Sequence, residues 1–100
     1  MDHAHVVRTL IQIHRDAEAD GGFDPDRVSR STCPLTGLKG FDSQLIPQFV
    51  RQLASKLGNP LPKGTKVKNI YVSKDGKRKL TLDEVARRFL ETYAPEVCRT

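Results

Sequence analysis

The sequence predicts an all-α protein: a bundle of three main helices plus one short helix, with a small β-hairpin-like insertion before the last helix. Apolar residues recur at helical spacing in three segments, and glycine or proline follows each of them. A chain of 100 residues forms a single domain, residues 1–100, with one modest core. The predicted core is Val6, Leu10, Ile13, Leu38, Ile46, Phe49, Val50, Leu53, Leu57, Val85, Phe89 and Leu90.

The first helix is predicted over residues 3–19, where apolar residues recur at i, i+4 and i+7. Gly21-Gly22 ends it, because glycine is a common residue just past a helix C-terminus. Residues 23–40 are predicted to form a long loop, since prolines and glycines interrupt the segment. A short helix from 24 to 30, with proline at its first position, is compatible with this loop.

The second main helix is predicted over about residues 43–57, with five apolar residues on one face. Gly58 ends it and Pro60 prevents its continuation. If Ser43 is the N-cap, Pro47 lacks the N–H that would close the first intrahelical hydrogen bond. The helix therefore either kinks at Pro47 or begins one or two residues after Ser43.

The segment between the second and last main helices has a different pattern. Asp75-Gly76 lies between a β-branched and aromatic run and a short basic run, which indicates a turn between two strands. We expect an exposed two-stranded ribbon or an ordered loop. The last helix begins at a capping box, with Thr81 as the cap and Glu84 reaching back, and Pro95 ends it.

Charge is unevenly distributed along the chain, whose net charge is +5. Residues 1–30 contain six acidic residues against four arginines. A basic segment in the second half is expected either to be solvated or to bind an anionic partner, and nucleic acid or an acidic protein are both alternatives. Its basic residues are Lys63, Lys66, Lys68, Lys74, Lys77, Arg78 and Lys79.

Other residues give simpler expectations. The chain has no apolar run of membrane-spanning length and its first residues lack a signal-peptide pattern, so we expect a cytoplasmic monomer with no membrane contact. Cys33 and Cys98 are expected to be free thiols. The three histidines lack zinc-finger spacing and are expected to be solvated, with no metal bound: His3, His5 and His14.

Two stretches of the chain, "LKGFDSQLIPQFVRQLASKLGNPLP" and "LTLDEVARRFLETY", resemble the acyl and peptidyl carrier proteins. Carrier proteins are similar in having a Gly-x-Asp-Ser signature at the start of their second helix and a threonine at the start of the last one. The likeness touches most of the chain, with residues 66–80 as a longer connector than the family usually has. The matching residues are Gly40, Asp42, Ser43, Gly58, Leu61, Pro62 and Thr81.

The resemblance implies an acyl-carrier-like bundle and a function without catalysis by the chain itself. It implies that Ser43 receives 4′-phosphopantetheine from coenzyme A, that Asp42 helps position the transferase's metal ion, and that the arm carries an acyl or aminoacyl thioester, as in fatty acid or polyketide biosynthesis. The implied partners are a phosphopantetheinyl transferase and acyl-transferring enzymes. The candidate partner-binding residues are Gln44, Arg51, Lys74, Lys77, Arg78 and Lys79.

Two alternatives remain open from the residues alone. Segment 63–79, with Tyr71 near its centre, could follow a phosphate backbone as a nucleic-acid-binding surface. The bundle could instead be an unmodified protein-interaction module. A hydrolase is not supported, because Ser43 lies in no Gly-x-Ser-x-Gly elbow and no histidine follows residue 14.

Overall fold

Four α-helices make up the regular structure in the part of the chain described by a computed structural model, residues 2–64 and 66–93. They are α1 (His3–Asp20), α2 (Pro34–Gly37), α3 (Ile46–Lys56) and α4 (Leu82–Tyr93), with two 3₁₀ turns at Pro25–Arg27 and Ser43–Leu45. These two ranges contain no β-strand, so the all-α prediction is confirmed for them. The longest helix, α1, packs against both α3 and α4.

The first helix agrees with its prediction to within one residue. Its N-cap is Asp2, whose carboxylate accepts a hydrogen bond from the His5 N–H at 2.8 Å. Its C-terminus is at Gly21-Gly22, as predicted. One side of α1 faces the core and the other side is exposed.

The long loop after α1 is more ordered than predicted. The expected helix over residues 24–30 is only the 3₁₀ turn Pro25–Arg27, which the Asp24 side chain caps. The short helix α2 was not predicted, because four residues are too few to give a periodic pattern. Val28 and Leu38 are buried and attach this loop to the core.

The segment that leads into α3 corrects the predicted helix start. Ser43 is not the N-cap; it begins the 3₁₀ turn Ser43–Leu45, and Asp42 is the capping residue. The α-helix then begins at Ile46, which places Pro47 in the first turn, where a missing N–H costs little. At the other end, Gly58 adopts φ 82°, a left-handed conformation that glycine tolerates.

The predicted hairpin-like insertion forms one isolated antiparallel bridge, between Val72 and Lys79, and no strand within the described ranges. The insertion is also not simply an exposed excursion. Ile70, Tyr71 and Leu80 are each no more than 3% exposed and belong to the core. Residues 74–79 are exposed to solvent, and so are Lys66, Lys68 and Asn69.

The start of α4 confirms the predicted capping box. The Glu84 N–H donates to the Thr81 hydroxyl at 3.3 Å, and the Glu84 carboxylate accepts from the Thr81 N–H at 3.1 Å. The next two N–H groups, of Leu82 and Asp83, donate to backbone carbonyls of loop residues 30–32. The first turn of α4 is therefore held by both its own cap and the loop after α1.

The core contains eleven of the twelve predicted residues as buried side chains. Leu57 is the exception, since it is only partly buried against the core. The buried set also includes Val7, Val28, Phe41, Ala54, Ile70, Tyr71, Leu80, Leu82 and Ala86.

Two predictions, the helix stop at Pro95 and the thiol of Cys98, lie outside the described residues. Cys33 is a free thiol, as expected. Within residues 2–64 and 66–93, none of the helices combines the length and the apolarity needed to cross a membrane.

Candidate functional site

Ser43 lies at the surface, at the first position of the 3₁₀ turn that leads into α3. Its hydroxyl has no hydrogen-bond partner among the described residues. Next to it, one oxygen of the Asp42 carboxylate accepts a hydrogen bond from the Gln44 N–H at 2.8 Å. All three residues are exposed, so Asp42, Ser43 and Gln44 form one accessible patch of surface.

The backbone N–H groups around Ser43 are already used within the turn. The Gln44 N–H is bonded to the Asp42 side chain, the Leu45 N–H to the Asp42 carbonyl and the Ile46 N–H to the Ser43 carbonyl. An anion on Ser43 would thus meet the positive end of α3 but no free N–H donor from these residues. The turn therefore leaves Ser43 exposed but offers no cradle of free N–H groups from these residues.

Glu18 fixes the backbone just before this site. Its carboxylate, 4% exposed, accepts hydrogen bonds from the Lys39 N–H at 3.1 Å and the Gly40 N–H at 2.6 Å. Hydrogen bonds to an ionised acceptor are among the stronger ones in proteins. The last turn of α1 therefore holds the loop three to four residues ahead of Ser43.

Gly40 is required by the closeness of this contact. A Cβ atom at residue 40 would lie 2.3 Å from a Glu18 carboxylate oxygen and 3.3 Å from the Ala17 carbonyl oxygen. A larger residue at position 40 would therefore require the Glu18 carboxylate or the loop to move. The glycine of the Gly-x-Asp-Ser motif thus has a packing role in this chain.

Phe41 anchors the loop from inside the core. Its ring is 4.8 Å from His14, 4.8 Å from Phe49 and 4.7 Å from Tyr71, measured between ring centroids. Such distances are typical of favourable aromatic pairs. These four residues are called the aromatic cluster. The cluster connects α1, α3 and the insertion before α4, and Phe41 directly precedes Asp42 in the chain.

His14 is the polar member of the aromatic cluster. It is fully buried, and its Nε2 is hydrogen-bonded to the Tyr71 hydroxyl at 2.8 Å, so the expectation of a solvated His14 is wrong. Burial lowers the pKa of His14 from 6.5 to about 3 and raises the pKa of Tyr71. Both groups are therefore neutral at pH 7.

Glu18 and His14 were missed as supports of the site, although the sequence contains a signal for them. Leu10, His14 and Glu18 are spaced by four residues, which places them on one face of α1 with a core residue. Polar residues on a core-facing stripe call for a buried partner. The partners, a loop backbone and a distant tyrosine, are not visible in the sequence.

The predicted basic residues lie elsewhere. Lys74, Lys77 and Arg78 are exposed in the turn between the bridge residues, and the bridge residue Lys79 is exposed beside them. Lys74 and Arg78 line a cavity of about 240 Å³ between residues 73–80 and α4, here called the α4 notch. Arg78 also pairs with Glu84 at 2.8 Å. The residues of the Ser43 site do not line the α4 notch.

For the remaining candidate partner-binding residue, Arg51, the structure gives a location. Arg51 lies half-buried on α3. Within the described ranges, no cluster of three or more histidine, cysteine or acidic residues could hold a metal ion.

Comparison of the chain with protein-family models, with curated proteins and with solved structures gave no match.

Proposed function

We propose that this chain is an acyl-carrier-like protein that holds 4′-phosphopantetheine on Ser43 and carries an acyl or aminoacyl group on the arm's thiol. The observation that carries the proposal is the exposed Ser43 hydroxyl, without a hydrogen-bond partner among the described residues, at the first position of the 3₁₀ turn before α3. The acyl-carrier-like arrangement of the bundle, with its hairpin-like connector, belongs to the same proposal.

The reaction asks little of the chain itself. The Ser43 oxygen forms a bond to the phosphorus atom that carries the pantetheine arm, the nucleotide half of coenzyme A leaves, and the serine proton goes to a base of the transferase. What the chain contributes is access and position. Glu18 and Phe41 fix the loop, and the hydroxyl is exposed to a modifying enzyme.

Asp42 has a defined share in this proposal. One carboxylate oxygen caps the turn, and the other has no hydrogen-bond donor among the described residues. The second oxygen is free to contribute to a divalent cation in the transferase complex, since carboxylates are common ligands of Mg²⁺. The cap keeps the carboxylate next to the Ser43 hydroxyl.

The partner enzymes would have an unusual surface charge. α3 spans Ile46–Lys56 and contains no acidic residue, whereas it contains Arg51 and Lys56. An enzyme that docks on α3 is therefore expected to present acidic or neutral residues there, since like charges at an interface suppress binding. Gln44 and Arg51 are the candidate contacts beside Ser43.

Nucleic-acid binding by segment 63–79 has less physical support. Tyr71, the aromatic residue near the centre of the segment, is 1% exposed and bonded to His14. It offers no face on which a base could stack. Phosphate contacts by the exposed lysines would have to supply the whole interaction.

The test is incubation with coenzyme A and a broad-specificity phosphopantetheinyl transferase, followed by intact-mass measurement. We expect one phosphopantetheinyl group on the parent chain and none on Ser43→Ala. Ser55→Ala, an exposed serine on α3, is the matched control and should be modified like the parent. If several transferases leave the folded parent chain unmodified, the proposal is wrong, and the unmodified interaction module becomes the better account.

A further inference from the structure

The α4 notch collects more positive than negative charge. Lys74 and Arg78 approach it from the turn, and Arg87 and Arg88 from α4, against the two carboxylates Glu84 and Glu91. Glu84 is already engaged, since it accepts hydrogen bonds from Arg78 and from Thr81. Lys74, Arg87 and Arg88 then face Glu91 as the remaining carboxylate that lines the notch.

Arg88 supplies a second, independent observation. Its Nε atom is buried and has no hydrogen-bond partner. The Nη2 atom of Arg88 donates to the Asn69 carbonyl oxygen at 3.5 Å, which is long for a hydrogen bond. A buried donor without an acceptor is costly, so the hydrogen-bonding capacity of the Arg88 guanidinium is not fully used, and Arg88 lines the notch.

The chemistry of these groups favours phosphate. Guanidinium groups present a planar fork of N–H donors that matches phosphate oxygens, and a terminal phosphate offers three acceptors with nearly two negative charges. A volume of about 240 Å³ admits a phosphate and part of the group that carries it. Leu80 is the one aliphatic side chain in the lining, and the charged groups around it offer the specific contacts that a phosphate needs.

We propose that the α4 notch binds the terminal phosphate group of a small molecule, with Arg88 and Arg87 as its main ligands and Lys74 contributing charge. The site does not include Ser43, and the proposal holds whether or not Ser43 is modified.

The test is titration of the ¹⁵N-labelled, unmodified chain with inorganic phosphate, followed by NMR amide shifts. We expect saturable shifts confined to residues 73–80 and 84–91. Arg88→Lys retains the charge but removes the planar fork of N–H donors, and should weaken binding roughly tenfold, the effect of one hydrogen bond to a charged group. Arg87→Gln should also weaken binding, whereas Lys56→Gln on exposed α3 surface should bind like the parent.

Three outcomes would overturn the proposal. The first is the absence of saturable shifts at millimolar phosphate. The second is equal binding of acetate and phosphate, or equal binding by the parent and both arginine variants. The third is tighter binding of a short random DNA duplex, with shifts that extend over Lys63, Lys66 and Lys68, which would identify a nucleic-acid surface instead of a single-phosphate site.

Discussion

Glu18 determines where the Asp42–Ser43 segment lies relative to α1. Its buried carboxylate is hydrogen-bonded to two consecutive backbone N–H groups, those of Lys39 and Gly40. Those bonds satisfy a charge that would otherwise be expensive to bury. The position of the exposed Ser43 hydroxyl thus depends on the buried Glu18 carboxylate.

Replacing Gly40 with alanine should break this arrangement. The new Cβ would overlap a Glu18 oxygen, so the carboxylate or the loop must move, and the two hydrogen bonds to the carboxylate are weakened or lost. We expect a loss of at least about 2 kcal/mol in the free energy of unfolding, measured by urea denaturation. Gly37→Ala is the matched control, because its Cβ would meet only a Thr32 methyl carbon at 3.7 Å. Equal effects of the two substitutions would contradict the proposed role of Glu18.

His14 should make stability depend on pH in a defined window. Its folded pKa, about 3, lies below its unfolded value of 6.5, so only the unfolded chain binds this proton between those values. Well above pH 6.5, protonation of His14 does not reduce the free energy of unfolding. As the pH is lowered, the free energy of unfolding falls, by about 2 kcal/mol at pH 5. Arg30 and Arg78 hold the pKa values of Asp83 and Glu84 low, but those carboxylates affect stability only below about pH 4.5.

Urea denaturation between pH 7 and pH 5 measures this effect. His14→Gln should flatten the pH dependence, whereas His5→Gln, on the exposed side of α1, should leave it unchanged. An unaltered slope in His14→Gln would show that another group binds the proton.

At the scale of secondary-structure elements, the helices are stabilised at their ends as well as by packing. Asp2 caps α1, Asp42 caps the turn before α3, and Thr81 with Glu84 caps α4. At one of these ends, a single residue serves both the structure and the proposed function. Asp42 is there a cap and, in our proposal, a metal ligand in a partner complex.

Thr81→Ala tests the cap of α4. Loss of the hydroxyl leaves the Glu84 N–H without its acceptor and should cost about 1 kcal/mol of stability. Thr9→Ala, which removes a hydroxyl from the middle of α1, should cost less than the cap does. Thermal unfolding of both variants measures the difference, and a Thr81→Ala melting curve that coincides with the parent's would show that the loop 30–32 carbonyls hold this end alone.

At the scale of the whole molecule, charge is separated along the chain. Residues 2–27 contain six acidic and three basic residues, whereas residues 66–93 contain eight basic and four acidic residues. The α4 notch lies in the basic part. Anionic partners should therefore be attracted to that side first, and the attraction should weaken with salt.

The parts of the fold that the sequence predicted well are those with local causes. α1, α3 and α4 follow from helical periodicity, capping residues and glycine stops, and most of the core follows from the same stripes. The insertion was predicted to be more exposed than it is. A short apolar run such as Ile70-Tyr71 does not reveal which surface it will pack on.

The sequence predicted only part of the candidate site. Asp42 and Ser43 are adjacent in the chain, and their exposure follows from their position before a helix. Glu18 and His14 act on the site through contacts with residues more than twenty positions away, at Gly40 and Phe41. Contacts of that kind arise from the packing of α1 on the loop, which periodicity alone does not specify.

The central claim is tested most directly by the intact mass of the chain as purified from the cells that naturally express it. Our account predicts a species heavier than the unmodified chain by one phosphopantetheinyl group, with or without an acyl load, and fragmentation that locates the group on Ser43. A chain found only at its unmodified mass, from cells whose known carrier proteins are fully modified, would contradict the account.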